Sequence, residues 1–175
     1  IHTEVTATDH CGYLRFDFPA KSRPGVLIEA TRPGIRGYVE VDVQKHEVRG
    51  YNPDRQDAVL GPLKLAQFKG YFVVRFKQAF SAQSVYEGVL VRPGNTRVEG
   101  DNVGAFVSFG VSAGQPVEAQ VGTSFISLAQ AQANLDAELP TWNFDAARDA
   151  LKAAWNRKLG MFDIDGADAP QRRIF

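Results

Sequence analysis

Net charge is the first thing this sequence lacks. Its 20 basic and 20 acidic residues cancel, which removes the main electrostatic argument for binding nucleic acid or an anionic membrane. The charges are interspersed, with no basic block. Cysteine is nearly absent. Cys11 stands alone, so no internal disulfide can form and the redox compartment stays open. No apolar run approaches the ~20 residues that a membrane-spanning helix needs. No glycine-rich phosphate loop leads from a strand into a helix, and no G-x-S-x-G occurs. The chain begins at Ile1-His2 with no methionine, basic n-region or apolar h-region. It starts in strand-like sequence and ends on two apolar residues. The expectation is a piece of a longer protein, cut at both ends.

What is present is alternation. Through the first 126 residues apolar and polar positions follow each other with period two. Leu14, Phe16 and Phe18 alternate with Tyr13, Arg15 and Asp17, and Val39, Val41 and Val43 with Tyr38, Glu40 and Asp42. Phe72, Val74 and Phe76 face away from Val73, Arg75 and Lys77. The pattern returns at Val103–Phe109 and Val117–Val121. Further strands are predicted at His2–Thr8, Val26–Ala30, His46–Tyr51 and Ser84–Arg92. Turn-rich stretches such as TRPGIRG, GYNPDRQD, RPGN, VEGDN and VSAGQP separate them. Many short, half-buried strands spell an antiparallel β-sandwich. The 175 residues suit about one domain, able to bury roughly 70% of the extended chain's surface.

The period then becomes 3.6. Ser127 with Gln130 predicts a capping box, each side chain satisfying the other's backbone amide. Leu128, Ala131 and Leu135 share a face, and Pro140 limits the helix at about Leu139. A second helix starts near Asn143, with an apolar stripe of Phe144, Ala147, Leu151, Ala154, Trp155 and Leu159 too wide for an isolated, solvent-exposed helix. Lys158 suits the C-terminal dipole, and Gly160 is expected as a left-handed cap. MFDID reads as a short strand, and Asp168-Ala-Pro-Gln171 as a new helix start.

Candidate chemistry is sparse. His2, His10 and His46 are scattered, and only His10 neighbours Cys11. Zinc needs several N or S ligands at local spacing, so Cys11 reads as a small buried hydrophobe and His10 as a surface residue. DIDGADAP, residues 163–170, lacks the calcium-loop pattern, because Gly166 falls at position 4 and Ile174 at position 12. It reads as a strand end, turn and helix cap. The loop carboxylates Asp54, Asp57, Glu99 and Asp101 show no spacing that selects an acid/base pair. Tyr38, Tyr51, Tyr71 and Tyr86 are candidates for a sugar-stacking platform, although strands also favour aromatics for packing. Trp155 reads as an interface anchor and Trp142 as a loop residue packing between layers.

Longer motifs carry a resemblance. They are the strand G-T-S-F-I-S, the helix A-x-A-N-L-x-A-E-L-P, W-x-F-D, the A-A-W-N helix and the closing Q-R-R-I-F. Upstream lie T-A-T-D-H-C-G-Y-L-R-F-D-F-P, Y-F-V-V-R-F and G-A-F-V-S-F. Together they resemble glycoside hydrolase family 92, the calcium-dependent exo-acting α-mannosidases, over most of the chain and most specifically in its last third. The resemblance implies a supersandwich-like β-domain at residues 1–126, linker helices at 127–160, and at 161–175 the opening of an (α/α)6 catalytic barrel. It further implies glycine- and histidine-rich motifs ahead of Ile1.

By the same resemblance, the chemistry is inverting hydrolysis of an α-mannoside, α-1,2-type, at the sandwich–barrel interface. Calcium would serve the full-length enzyme, with none assigned to this chain. The partners would be the catalytic barrel of the same protein and mannose-containing glycans, without nucleic acid or a membrane span, in a periplasmic or secreted location. No catalytic residue and no metal ligand is assigned here, and the carbohydrate-binding residues are left open. This chain alone is expected to be inactive. A stand-alone carbohydrate-binding module, or a structural sandwich packing on another protein, is the alternative. The surface of Phe144, Leu151, Trp155 and Leu159 separates them: an enzyme portion covers part of it, whereas a binding module shows an aromatic platform instead.

Overall fold

The structure is a computed structural model, described for residues 1–54, 67–112, 114–161, 166 and 168–174. The strands run in order β1 His2–Ala7, β2 Cys11–Asp17, β3 Gly25–Glu29, β4 Arg36–Asp42, β5 Glu47–Asn52 and β6 Gly70–Phe76. They continue as β7 Phe80–Glu87, β8 Leu90–Pro93, β9 Arg97–Asp101, β10 Val103–Phe109 and β11 Val117–Ser124. Three helices complete the order: α1 Leu128–Glu138, α2 Phe144–Leu159 and α3 Ala169–Ile174.

The strands form two antiparallel sheets. The larger has the order β1-β2-β11-β6-β5-β4-β9 and the smaller β3-β10-β7-β8. Between them lies a core of Val39, Val41, Val48, Val74, Phe76, Val85, Val103, Val107, Phe109 and Val117, with Phe16, Phe72 and Phe80 packed at its margin. Phe76, Phe80 and Phe109 meet with ring centroids 5.1–5.8 Å apart. The sandwich expected from the alternation is present.

Two strand assignments change. The stretch Ser84–Arg92 is a hairpin rather than one strand, because Gly88 takes a positive φ of 57° and Glu87 pairs with Leu90 across the turn. VEGDN, expected as a turn, supplies most of β9, so Glu99 and Asp101 are strand residues and not loop carboxylates. Only Val98 and Gly100 of β9 face inward, and the outward charges suit an edge strand. Val43 lies past the end of β4 and is exposed.

The larger sheet is covered on both faces over β2, β11 and β6. Its outer side there carries a second core of Cys11, Tyr13, Val73, Ala131, Leu135, Leu139 and Phe144, with Tyr71, Leu128 and Trp142 against it. Helix α1 can lie this close because position 122 on β11 is glycine. A Cβ there would stand 2.9 Å from the Leu135 Cβ and against the carbonyl of Ala131.

The helix ends obey the sequence with two exceptions. The Ser127 Oγ accepts from the Gln130 amide at 3.0 Å, but the Gln130 side chain turns away and donates to Asn134 at 2.8 Å. Only half of that capping box forms. Gly160 sits at φ −69°, not left-handed, and its amide continues the helical turn to Asn156 O at 2.8 Å. The start of α3 is a complete box: Asp168 Oδ1 accepts from the Gln171 amide at 2.9 Å, and Gln171 Oε1 from the Asp168 amide at 3.0 Å. Most of the MFDID stretch, residues 162–165, lies outside the described residues.

Candidate functional site

Helices α1 and α2 stop short of one side of the larger sheet, and the free side shows a pattern. On β4, Val39 and Val41 enter the core, so Tyr38 and Glu40 stand on the outer face. On β5, Arg49 and Tyr51 stand out beside inward Val48, and on β9, Arg97 and Glu99 flank inward Val98. Register aligns Glu99, Tyr38, Tyr51, Tyr71 and Ser124 in one row across five strands.

Three of the four tyrosines expected as a platform therefore come together. Tyr38 and Tyr51 are nearly parallel, with centroids 5.9 Å apart and planes 22° apart. Tyr71 meets Tyr51 edge-on at 6.0 Å. The fourth, Tyr86, lies on β7 of the other sheet. Its ring fills the space that a Cβ at Gly104 would take, so it serves packing there.

Charged side chains hold the row. The Tyr38 hydroxyl donates to Glu40 Oε2 at 3.0 Å, and Arg49 Nε donates to the same oxygen at 3.0 Å. The Tyr51 hydroxyl donates to Glu99 Oε1 at 3.1 Å. Lys69 places its ammonium 4.0 Å from the Tyr51 ring centroid. Burial, and then donation to the neighbouring carboxylates, raises the pKa of both Tyr38 and Tyr51. The hydrogen bond from Arg49 lowers that of Glu40. At the β9 edge the row opens into a cleft of about 350 Å³ lined by Tyr38, Glu87, Arg92, Arg97, Val98 and Glu99. Sequence reasoning missed these charged partners. Their signal was the outward alternation itself, Y-x-E on β4, R-x-Y on β5 and R-x-E on β9.

A second arrangement joins the helices to the sheet. Tyr13 is fully buried and meets Phe144 and Trp142 edge-on, at 5.2 and 6.0 Å. Its hydroxyl donates to Glu118, which also takes Lys77. Glu138 at the end of α1 accepts from the Thr8 hydroxyl, the His10 amide at 3.0 Å and the His10 ring at 2.6 Å. Arg75 bridges Glu47 at 3.0 Å and Asp136 at 2.6 Å. Arg15 lies 4.4 Å from the Phe144 ring centroid and pairs with Glu4 at 2.7 Å.

Beyond this seam the apolar stripe divides. Phe144 is buried inside the chain and so does not belong to a free surface, whereas Trp155 is 58% and Leu159 63% exposed, with Met161 beside them in sequence at 73%.

The remaining candidates fall apart as sites. Cys11 is buried, and desolvation, with the Glu138 charge nearby, pushes its thiol up to about 11. That makes a poor nucleophile or ligand. His10 lies in the β1–β2 turn, not on a strand. Asp54 pairs with Arg32 at 2.6 Å, and Asp57 lies outside the described residues. Trp142 packs against the outer core, as expected. Among the described residues, His2, Glu4 and Asp17 come close enough to share a cation. Calcium takes about six to eight oxygen ligands, and this trio offers one nitrogen, an exposed Asp17 and a half-buried Glu4 already held by Arg15. It does not fit calcium. Among the described residues, no helix is long and apolar enough to cross a membrane.

Comparison with known proteins gives this arrangement a family. Residues 1–124 match the glycosyl hydrolase family 92 N-terminal domain, and residues 130–175 match the family's catalytic domain. An uncharacterized secreted glycosidase from Arthroderma benhamiae is 26% identical, covering 94% of this chain and 24% of its own length. A family GH92 inverting mannosidase from Bacteroides thetaiotaomicron superposes with a TM-score of 0.86 at 23% identity, over 95% of this chain and 22% of its own. A second solved glycosyl hydrolase of the family gives 0.80 at 25% identity, over 94% and 21%. The chain thus spans about a quarter of the length of these relatives. With a sandwich matching the family's N-terminal domain and helices matching its catalytic domain, the chain belongs to glycosyl hydrolase family 92.

Proposed function

We propose that this chain is the N-terminal sandwich portion of an α-mannosidase, supporting an active site at the interface with a catalytic (α/α)6 barrel. One observation carries the reading. The two family matches meet between residues 124 and 130, where α1 lies on Gly122 of β11 with no room for a side chain. The N-terminal domain is thus packed against the first helix of the catalytic match. We take residues 127–160 as the linker helices and 161–175 as the opening of the barrel.

The reaction is inverting hydrolysis of a mannoside of α-1,2 type. One carboxylic acid protonates the leaving oxygen and a second carboxylate activates water, about 6.5–9.5 Å away. We assign both to the barrel; the carboxylates in the two arrangements on the sandwich are engaged by other side chains. Glu40 and Glu99 take tyrosine hydroxyls, and Glu118 and Glu138 hold the helix seam. Calcium, which the trio at His2 does not suit, is assigned to the barrel as well. Mannose-containing glycans are the substrates, and the secreted relative supports an exported location, secreted or periplasmic.

The exposed Trp155 and Leu159 favour this reading over a self-contained binding module, because a completed fold would cover them. The test is hydrolysis of α-1,2-mannobiose. The chain extended through the catalytic domain turns it over, and the 175-residue chain alone does not. Turnover by the short chain, or none by the long one, would sink the assignment.

A further inference from the structure

The row on the outer sheet face has a shape that the packing of the sandwich does not require. Tyr38 and Tyr51 lie outside both cores, on the part of the sheet that α1 and α2 leave uncovered, and Tyr71 continues the row against the margin of the outer core. From Glu99 on β9 to Tyr71 on β6 the row crosses three strand spacings, about 14 Å. That length suits several linked pyranose rings. We propose that this tyrosine row, with the cleft at its β9 end, binds a neutral mannose-containing oligosaccharide. The identity of the sugar rests on the mannosidase reading; the stacking surface does not.

Three features single out that ligand. A pyranose ring presents an apolar C–H face edged by hydroxyls. It needs an aromatic surface with hydrogen-bonding groups at the rim, as sites for small polar ligands generally do. Here two nearly parallel rings supply the surface, and Glu40, Glu99, Arg49 and Arg97 supply acceptors and donors beside it. Second, the charge around the row is mixed. Lys69, Arg49, Arg92 and Arg97 stand among Glu40, Glu87 and Glu99. With four basic and three acidic groups interleaved, the face favours neither sign of charge strongly and offers a neutral polyol both donors and acceptors. Third, the rings are fixed beforehand. Both Tyr38 and Tyr51 are tethered through their hydroxyls, so little side-chain freedom is lost on binding. Lys69, over the Tyr51 ring, has a flexible stem that can move aside and offer its ammonium to a hydroxyl.

The experiment titrates the 175-residue chain with α-1,2-mannotriose, and with cellotriose for comparison, following tyrosine ring signals by NMR and affinity by calorimetry. Mannotriose should shift Tyr38, Tyr51 and Tyr71 together. Y51A should weaken it roughly tenfold or more, while Y51F, which keeps the ring, retains most of the affinity. Y51F also separates loss of stacking from loss of fold. No shift at millimolar mannotriose overturns the proposal, as does binding that Y51A leaves unchanged. Equal or tighter binding of cellotriose overturns the mannoside assignment. Ring signals that change on dilution without sugar mean that a second copy occupies the face, which also overturns it. The hydrolysis test depends on none of these outcomes, so either reading can fail alone.

Discussion

Gly122 on β11 faces Leu135 on α1 so closely that a Cβ on the glycine would lie 2.9 Å from the leucine Cβ, with the Ala131 carbonyl nearer still. Backbone lies on both sides of that contact, so neither side can give way cheaply. Overpacking of this kind costs about 1–3 kcal/mol. Gly122→Ala should lower stability by that amount in urea unfolding, and Gly122→Val by more. An unchanged midpoint for both would mean that α1 does not dock where it is described.

Phe144 and Trp155 lie on the same helix and should behave oppositely. Phe144 is 3% exposed and set against Tyr13 and Arg15. Its replacement by alanine should cost about 3 kcal/mol. Trp155→Ser in this chain should stay within about 0.5 kcal/mol, as for other exposed positions. In the chain extended through the catalytic domain, the same Trp155→Ser should lower the thermal midpoint. Equal tolerance in both contexts would remove α2 from the domain interface.

The Tyr13–Glu118 pair is a test of the buried seam. Tyr13 is wholly buried and Glu118 is 6% exposed, and the tyrosine hydroxyl donates to the carboxylate, which also takes Lys77. Tyr13→Phe keeps the ring contacts with Trp142 and Phe144 but removes one donor from a buried anion. The expected loss is about 1–3 kcal/mol in chemical unfolding. A neutral result would mean that water reaches Glu118.

Acid should loosen the clasp between Glu138 and the β1–β2 turn. Burial alone would raise the Glu138 pKa, but donation from Thr8 and from the amide and ring of His10 outweighs it and holds the value low. The unfolded carboxyl binds its proton more readily, near pH ~4.3. The stabilisation is therefore fully present above about that pH and is lost as pH falls through the lower folded value. Glu138→Gln should be less stable than the parent at neutral pH, and the gap should narrow as pH falls below the unfolded carboxyl's value. A gap that persists unchanged into acid would show that Glu138 contributes packing rather than charge.

The sequence made the inner core legible because Phe72, Val74 and Phe76 alternate cleanly with their neighbours. The outer core was harder to see. Tyr13, Val73 and Cys11 occupy the positions that half-buried strands leave to solvent, and only the run Y-F-V-V on β6 hinted that both faces are covered. β9 was hidden by the charges of an edge strand. The β7–β8 turn was hidden because apolar Val89, Leu90 and Val91 stand exposed where a turn should be polar. Local cap chemistry was readable at Asp168 and Asn143, but at Gln130 a neighbour, Asn134, competed for the side chain. Tyr86 has the same residue type as the other candidates and a different sheet, which only strand order could reveal.

The most direct measurement is the anomeric form of the mannose first released from the methyl α-glycoside of α-1,2-mannobiose, whose reducing end has no free anomeric centre, by the chain extended through its catalytic domain. Proton NMR read before mutarotation distinguishes the two forms. An inverting mannosidase built on this sandwich releases β-mannose first. First release of α-mannose, or no mannose at all, would contradict the account.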